Sequence, residues 1–181
     1  FAGAWNGATT AGGTIVAGSL SAGGISTLGN SAVLSGELGT YNVFRSFSNI
    51  AGGDGTTTWY SYVGQRLGAA QDPATTSPPN MYPRGVNIGL FDTEVTANPT
   101  RAERLALGNS SNASENEWSL IPEGSGSLRA GSAVPYTDLY WAVVRIDHHG
   151  DATVADDAYL FLNPNPALEP AIGTALASAI G

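Results

Sequence analysis

The sequence predicts an all-β fold on three observations. Short apolar or alternating runs rich in Thr, Val, Ile, Tyr, Phe and Trp recur along the chain, as a pleated half-buried surface prefers. Gly, Pro, Asn and Asp punctuate those runs, and helical periodicity is nearly absent. At 181 residues with 42% hydrophobic content, one domain over residues 1–181 with its own core is the expectation.

Strands are expected near Gly13–Leu20, Tyr41–Phe47, Thr57–Gly64, Gly85–Phe91, Arg104–Leu107, Trp118–Ile121, Leu139–Asp147 and Ala158–Asn163. In the first forty residues, Ile15, Val16, Leu20, Ile25, Leu28, Val33 and Leu34 interrupt a Gly/Ala/Ser/Thr background, which predicts thin strands and turns. Three segments read as loops. Gly68–Pro83 carries four prolines that cannot join a ladder, Gly108–Glu117 is polar, and Pro122–Pro135 is rich in Gly and Ser. These loops fall between strands, so none reads as a domain linker. Thr96–Leu107 has room for a helical turn. The Ala-rich stretch Ala167–Ile180 is interrupted by Pro170 and Gly173, which argues against a long helix.

The faces of two strands are the most informative. In Leu139–Asp147, alternation puts Tyr140, Ala142, Val144 and Ile146 on one side and Trp141, Val143, Arg145 and Asp147 on the other. In Ala158–Asn163, Leu160 and Leu162 oppose Tyr159 and Phe161. Both faces are apolar, whereas a sheet with one wet side alternates more cleanly. Part of the second face is therefore expected to be covered, by loops, by a ligand or by another chain. Val144, Ile146, Leu160, Leu162, Ile88 and Leu90 are expected to share one core.

Composition excludes several functions. All seven basic residues are arginines, against 15 acidic ones, for a formal charge of −8. Seven scattered cations make no phosphate-neutralising patch, so no nucleic-acid partner is expected. No run is apolar enough to span a bilayer as a transmembrane segment. Without cysteine there is no disulfide framework and no thiol nucleophile. An acidic, lysine-free and cysteine-free chain rich in Gly, Ser, Thr, Ala and Asn fits an extracellular or cell-surface protein. The chain opens on Phe1 without a basic and apolar leader, so a processed end or part of a longer product is expected.

Four stretches carry a resemblance: Thr57–Arg66 (TTWYSYVGQR), Tyr82–Phe91 (YPRGVNIGLF), Glu103–Asn109 (ERLALGN) and Ala142–Pro164 (AVVRIDHHGDATVADDAYLFLNP). In that order they resemble the concanavalin A-like (LamG-like) lectin and glucanase jelly rolls of exported bacterial proteins, of the PEP-CTERM-associated type. The resemblance covers about residues 5–170. It implies an antiparallel two-sheet jelly-roll sandwich that binds glycan on a concave face or its rim, often beside calcium. It also implies a sandwich lacking its terminal strands, because the family's first strand and its acidic closing strand have no counterpart here. The alternating carboxylates that mark the family's glucanases are absent too, so no enzyme is expected.

Asp92 and Glu94, spaced i, i+2, are the best candidates for a catalytic pair. A solvated turn is the simpler reading of them. For a metal, Asp147, Asp151, Asp156 and Asp157 gather in one Gly-containing loop and offer the oxygens calcium takes. The competing reading is an exposed turn whose carboxylates cap the backbone. Asp54 reads as an Asp-Gly turn residue, and the adjacent His148 and His149 as the start of a hairpin turn. For a ligand, Trp141, Arg145 and Tyr159 lie on the face opposite the expected core, and flat aromatics stack on sugar rings.

The function these readings favour is a non-catalytic extracellular β-sandwich module that binds glycan or sits in the cell surface or matrix. The alternative is a self-assembling structural subunit of an extracellular filament or layer. It would associate as a homo-oligomer through bare strand edges, Phe1–Gly13, or the apolar tail at 171–181.

Overall fold

A computed structural model describes residues 6–7, 13–34, 43–44, 52–67, 87–91, 103–108, 117–122, 130–150 and 154–180. Among these the chain forms β1 (Asn6–Gly7), β2 (Gly13–Ala17), β3 (Ser21–Ala22), β4 (Ile25–Ser26), β5 (Asn30–Leu34), β6 (Val43–Phe44), β7 (Thr57–Gly64), β8 (Asn87–Phe91), β9 (Glu103–Gly108), β10 (Glu117–Pro122), β11 (Ala130–Pro135), β12 (Tyr140–Asp147), β13 (Asp157–Leu162) and β14 (Ala177–Ala179). One 3-10 turn, Ile172–Thr174, is the helical element among the described residues, and no helix is long and apolar enough to cross a membrane.

Two four-stranded sheets dominate. One has the order β11-β10-β9-β8 and the other β14-β13-β12-β7, with all pairs antiparallel. From β7 the chain crosses to the other sheet for a four-strand meander. It then returns with β12, which lies beside β7 over eight residue pairs from Tyr140↔Gly64 to Asp147↔Thr57. Leu105, Leu107, Trp118 and Leu120 from one sheet and Ala142, Val144, Ile146, Ala158, Leu160 and Ala177 from the other form one buried cluster, the character of a β-sandwich.

The core follows the alternation in β12 and β13. Val144 and Leu160 are fully buried, Ile146 nearly so, and Leu162 and Leu90 pack on the cluster. Ile88 departs from expectation at 38% exposure. It sits on β8, which ends its sheet among the described residues, and its cross-strand partner Leu107 takes the interior position.

Trp118 is the centre of an aromatic cluster, with ring centroids 4.2 Å from Tyr136, 5.5 Å from Tyr62 and 6.3 Å from Tyr140. The Tyr62 and Tyr136 hydroxyls share a hydrogen bond of 2.9 Å. Burial pushes both phenols up. Tyr136 reaches about 12, against the opposing pull of the Tyr62 hydrogen bond and the Arg66 charge; Tyr62 is raised further by its neighbour Tyr136. A phenol that ionises less readily folded than unfolded contributes stability that is whole below the unfolded value of about 10 and is lost as pH rises through the folded value. Alkaline titration followed by phenolate absorbance should therefore show these two tyrosines ionising together with unfolding. The Tyr136→Phe protein should lose less stability between about pH 10 and 12 than the wild type. Tyr62 and Tyr136 themselves ionising near pH 10 in a still-folded chain, shown by the Tyr62→Phe and Tyr136→Phe proteins each losing a transition there, would contradict the packing.

Two expectations differ from the structure. The second half of the segment read as the loop Pro122–Pro135 is strand β11, whose small residues give it a weak strand signal. Its register slips against β10 between Glu117 and Ser119, where Ala133 takes φ +59° and its N–H donates to Glu117 Oε2 at 2.5 Å. The end of Thr96–Leu107 is strand β9, in line with the strand expected at Arg104–Leu107, and residues 96–102 lie outside the described residues. Finally, the tail expected to lie along a neighbour lies on its own sheet. Ala177–Ala179 pairs with Leu160–Ala158, and Leu176 N–H donates to Leu160 O at 2.8 Å. The expected loops at residues 68–83 and 109–116 lie outside the described residues.

At the N-terminus the expected thin strands are present. β2 pairs with β5, and β3 with β4. The Gly23-Gly24 turn between β3 and β4 has φ of +59° and +78°, the left-handed pair that a two-residue hairpin needs. A Cβ at Gly23 would stand 2.6 Å from Asn163 Oδ1, so glycine lets this hairpin rest on the end of β13.

Candidate functional site: an aromatic groove on the outer sheet face

Register builds the outer face of the β7–β12–β13 sheet row by row. Ser61, Val143 and Phe161 form one row, Trp59, Arg145 and Tyr159 the next, and Thr57, Asp147 and Asp157 the last. Trp141 stands above the first row, opposite Val63. Val143, Tyr159 and Phe161 are buried as a second apolar cluster, with Trp141 and Ala175 packed on it. The expected cover of this face is thus supplied in part by the chain itself, which turns over the sheet after β13.

Asn163 makes that turn. It takes the left-handed conformation at φ +49°, which asparagine tolerates. Its N–H donates to Trp141 O at 2.8 Å, and Trp141 N–H donates to its Oδ1 at 2.9 Å. The following strap, Pro164–Pro170, folds on Asn165, whose Oδ1 accepts from Ala167 N–H (3.0 Å) and whose carbonyl accepts from Leu168 N–H (3.1 Å). Between strap and sheet lies a groove of about 270 Å3. Trp59, Trp141 and Val143 line one side, and Pro164, Pro166, Leu168, Glu169 and Pro170 the other.

The Arg145 guanidinium sits 5.6 Å from the centroid of the Trp59 ring, and that ring lies 6.2 Å from Phe161 at a tilt of 31°. Arg145 Nε–H donates to Asp147 Oδ1 at 2.7 Å, and Nη1–H donates to Glu169 Oε1 at 3.3 Å. Thr57 Oγ1–H also donates to Asp147 Oδ1, at 2.7 Å. Burial raises the Asp147 carboxyl, but the hydrogen bonds from Arg145 and Thr57 and the Arg145 charge outweigh it and hold the group below its ordinary value. Burial, then the charges of Asp157 and Asp147, pushes the Tyr159 phenol up.

Of the expected ligand set, Arg145 and Tyr159 are direct cross-strand neighbours, and Trp141 lines the groove further along β12. Tyr159 is buried in the cluster with Val143 and Phe161 and is not among the residues that line the groove. Two contributors had no place in that set. Trp59 belongs to β7, and its pairing with Arg145 across β7 and β12 gives it a role. Glu169 carried no signal at all, because its partner lies 24 residues earlier.

The acidic hairpin mouth divides by the same alternation. Asp147 and Asp157 are directly opposed on the outer face, a like-charge pair relieved by Arg145, Thr57 and His149 Nε2, which stands 3.2 Å from Asp157 Oδ2. Asp156 instead accepts from His148 Nδ1 (2.6 Å) and from His149 N–H (3.0 Å). His148 Nε2 is 2.9 Å from Thr58 Oγ1, so the imidazole ties β7 to the far side of the hairpin. Both histidines stand where the turn begins. Asp54 and Gly55 likewise form a turn, held by Gly55 N–H on His148 O and His148 N–H on Thr56 O, each at 2.9 Å.

The three described aspartates of the expected calcium loop thus accept from the protein's own cations, hydroxyls and N–H groups, and no three His, Cys, Asp or Glu residues converge as metal ligands among the described residues. Asp151, Asp92 and Glu94 lie outside the described residues. Comparison of the chain with protein-family models, with curated proteins and with solved structures returned no match.

Proposed function

We propose that this protein is a non-catalytic extracellular or cell-surface module, a concanavalin A-like jelly roll in plan, that binds a glycan chain in the groove between its outer sheet face and the Pro164–Pro170 strap. The observation that carries the reading is the pair of indoles, Trp59 and Trp141, lining one groove beside a charged hydrogen-bonding pair, Arg145 and Glu169. Aromatic faces take the C–H faces of pyranose rings, and a few convergent polar groups orient them. At about 270 Å3 the groove is near the small end of ligand clefts, ~300–1,000 Å3, and suits one or two rings of a longer chain. The strict absence of lysine and cysteine supports an exported location. Ala177–Ala179 already completes its own sheet, so the alternative of assembly by tail donation has less to draw on.

The test is a glycan array followed by calorimetry on the best binder. Trp141→Ala should weaken binding at least about tenfold while leaving the far-ultraviolet circular dichroism unchanged, since stacking on one indole contributes about that much. A folded wild-type protein that retains no glycan would sink the proposal.

A further inference from the structure

Among the described residues, Glu169 is the titratable residue that lines the groove, and it pairs with Nη1 of Arg145, whose Nε is held by Asp147. We infer that Glu169 acts as a charge gate, making this groove selective for uncharged saccharides over uronates and other acidic sugars. The inference rests on the glycan-binding reading and deepens it to a ligand class.

Arg145 is the group an acidic sugar would seek, because a guanidinium offers a planar fork that matches a carboxylate. Here Nε is engaged by Asp147 at 2.7 Å and Nη1 by Glu169 at 3.3 Å, while the guanidinium lies 5.6 Å from the Trp59 ring. Among the described residues, one cation between two carboxylates gives this group a net charge of −1. Asp157, one cross-strand position away from Asp147, adds the same sign beside His149. The chain as a whole carries the same sign, at a formal charge of −8. An incoming carboxylate would therefore have to displace Glu169 from Arg145 or approach against it. A neutral ring meets neither cost and keeps the Trp59 and Trp141 surfaces. Glu169 is 69% exposed, so its effect is a screened one that salt should reduce.

The experiment uses hexasaccharides of β-1,4-glucan, β-1,4-mannan and β-1,3-glucan, each paired with its counterpart carboxylated at C6, titrated against the whole chain at low and high salt. The expected result is that the neutral member of a binding pair is preferred on the order of tenfold. Added salt should narrow that ratio, and Glu169→Gln should bring it to about threefold or less. Equal affinities for neutral and carboxylated chains in the wild type, or a ratio that neither salt nor Glu169→Gln moves, would overturn the gate and leave glycan binding standing. Tighter binding of the carboxylated member would do the same. Failure of all six probes to bind folded protein would overturn the glycan reading together with the gate.

Discussion

Trp118→Ala should cost about 3–5 kcal/mol of folding stability, measured by urea unfolding followed by circular dichroism. Trp118 is completely buried between the two sheets and stacks with three tyrosines. Its removal opens a cavity that reaches both sheets, and β-sheets held by a continuous ladder relax little to refill one. For a chain of this size each kcal/mol corresponds to about 2–4 °C of melting temperature. The Trp118→Phe protein should be markedly more stable than the alanine one. Phenylalanine retains a stacking ring, and it deletes an indole N–H that is buried without a hydrogen-bond partner. A loss below about 1 kcal/mol for Trp118→Ala would mean that the two sheets do not share this core.

Phe161→Ala should cost a similar ~3–5 kcal/mol, although it lies on the opposite face of β13 from the core. Its side chain is 2% exposed, packed with Val143 and Tyr159 and against the Trp59 ring. On a sheet face open to water the same substitution would cost no more than about 0.5–1 kcal/mol. The size of the effect therefore measures how firmly the strap after Asn163 covers the face. Thermal melting of Phe161→Ala beside Trp118→Ala makes the comparison directly, and a near-neutral result for Phe161→Ala would show that the cover does not hold.

How far local pattern reaches is clear from single strands. The inward set Ala142, Val144 and Ile146 and the outward set Val143 and Arg145 could be assigned from alternation alone, because side chains in a strand must point to opposite faces. The same rule indicated that the second face of β13 is covered, since Tyr159 and Phe161 are as apolar as Leu160. Strand β11 escaped because Ala, Gly and Ser carry no strand preference of their own; its pairing with β10 holds it there. Ile88 misled because alternation reports a side chain's direction and says nothing about its distance from the edge of the sheet.

The groove was only partly legible. Trp141, Arg145 and Tyr159 share a face by spacing, yet Trp59 joins them through a pairing between residues more than eighty positions apart. Glu169 and the prolines of the strap join only because Asn163 turns the chain back over the sheet. In the acidic loop, closeness in sequence did not reveal direction: Asp156 goes to one side while Asp147 and Asp157 stay on the other. Sequence by itself determined what each residue can do locally: the all-β character, the alternating directions of the side chains in β12 and β13, the turn at Asp54-Gly55, and the absence of lysine and cysteine. Tertiary structure alone decided which surfaces meet. Strand register and the path of the chain after β13 are set by long-range packing, and no short-range periodicity encodes them.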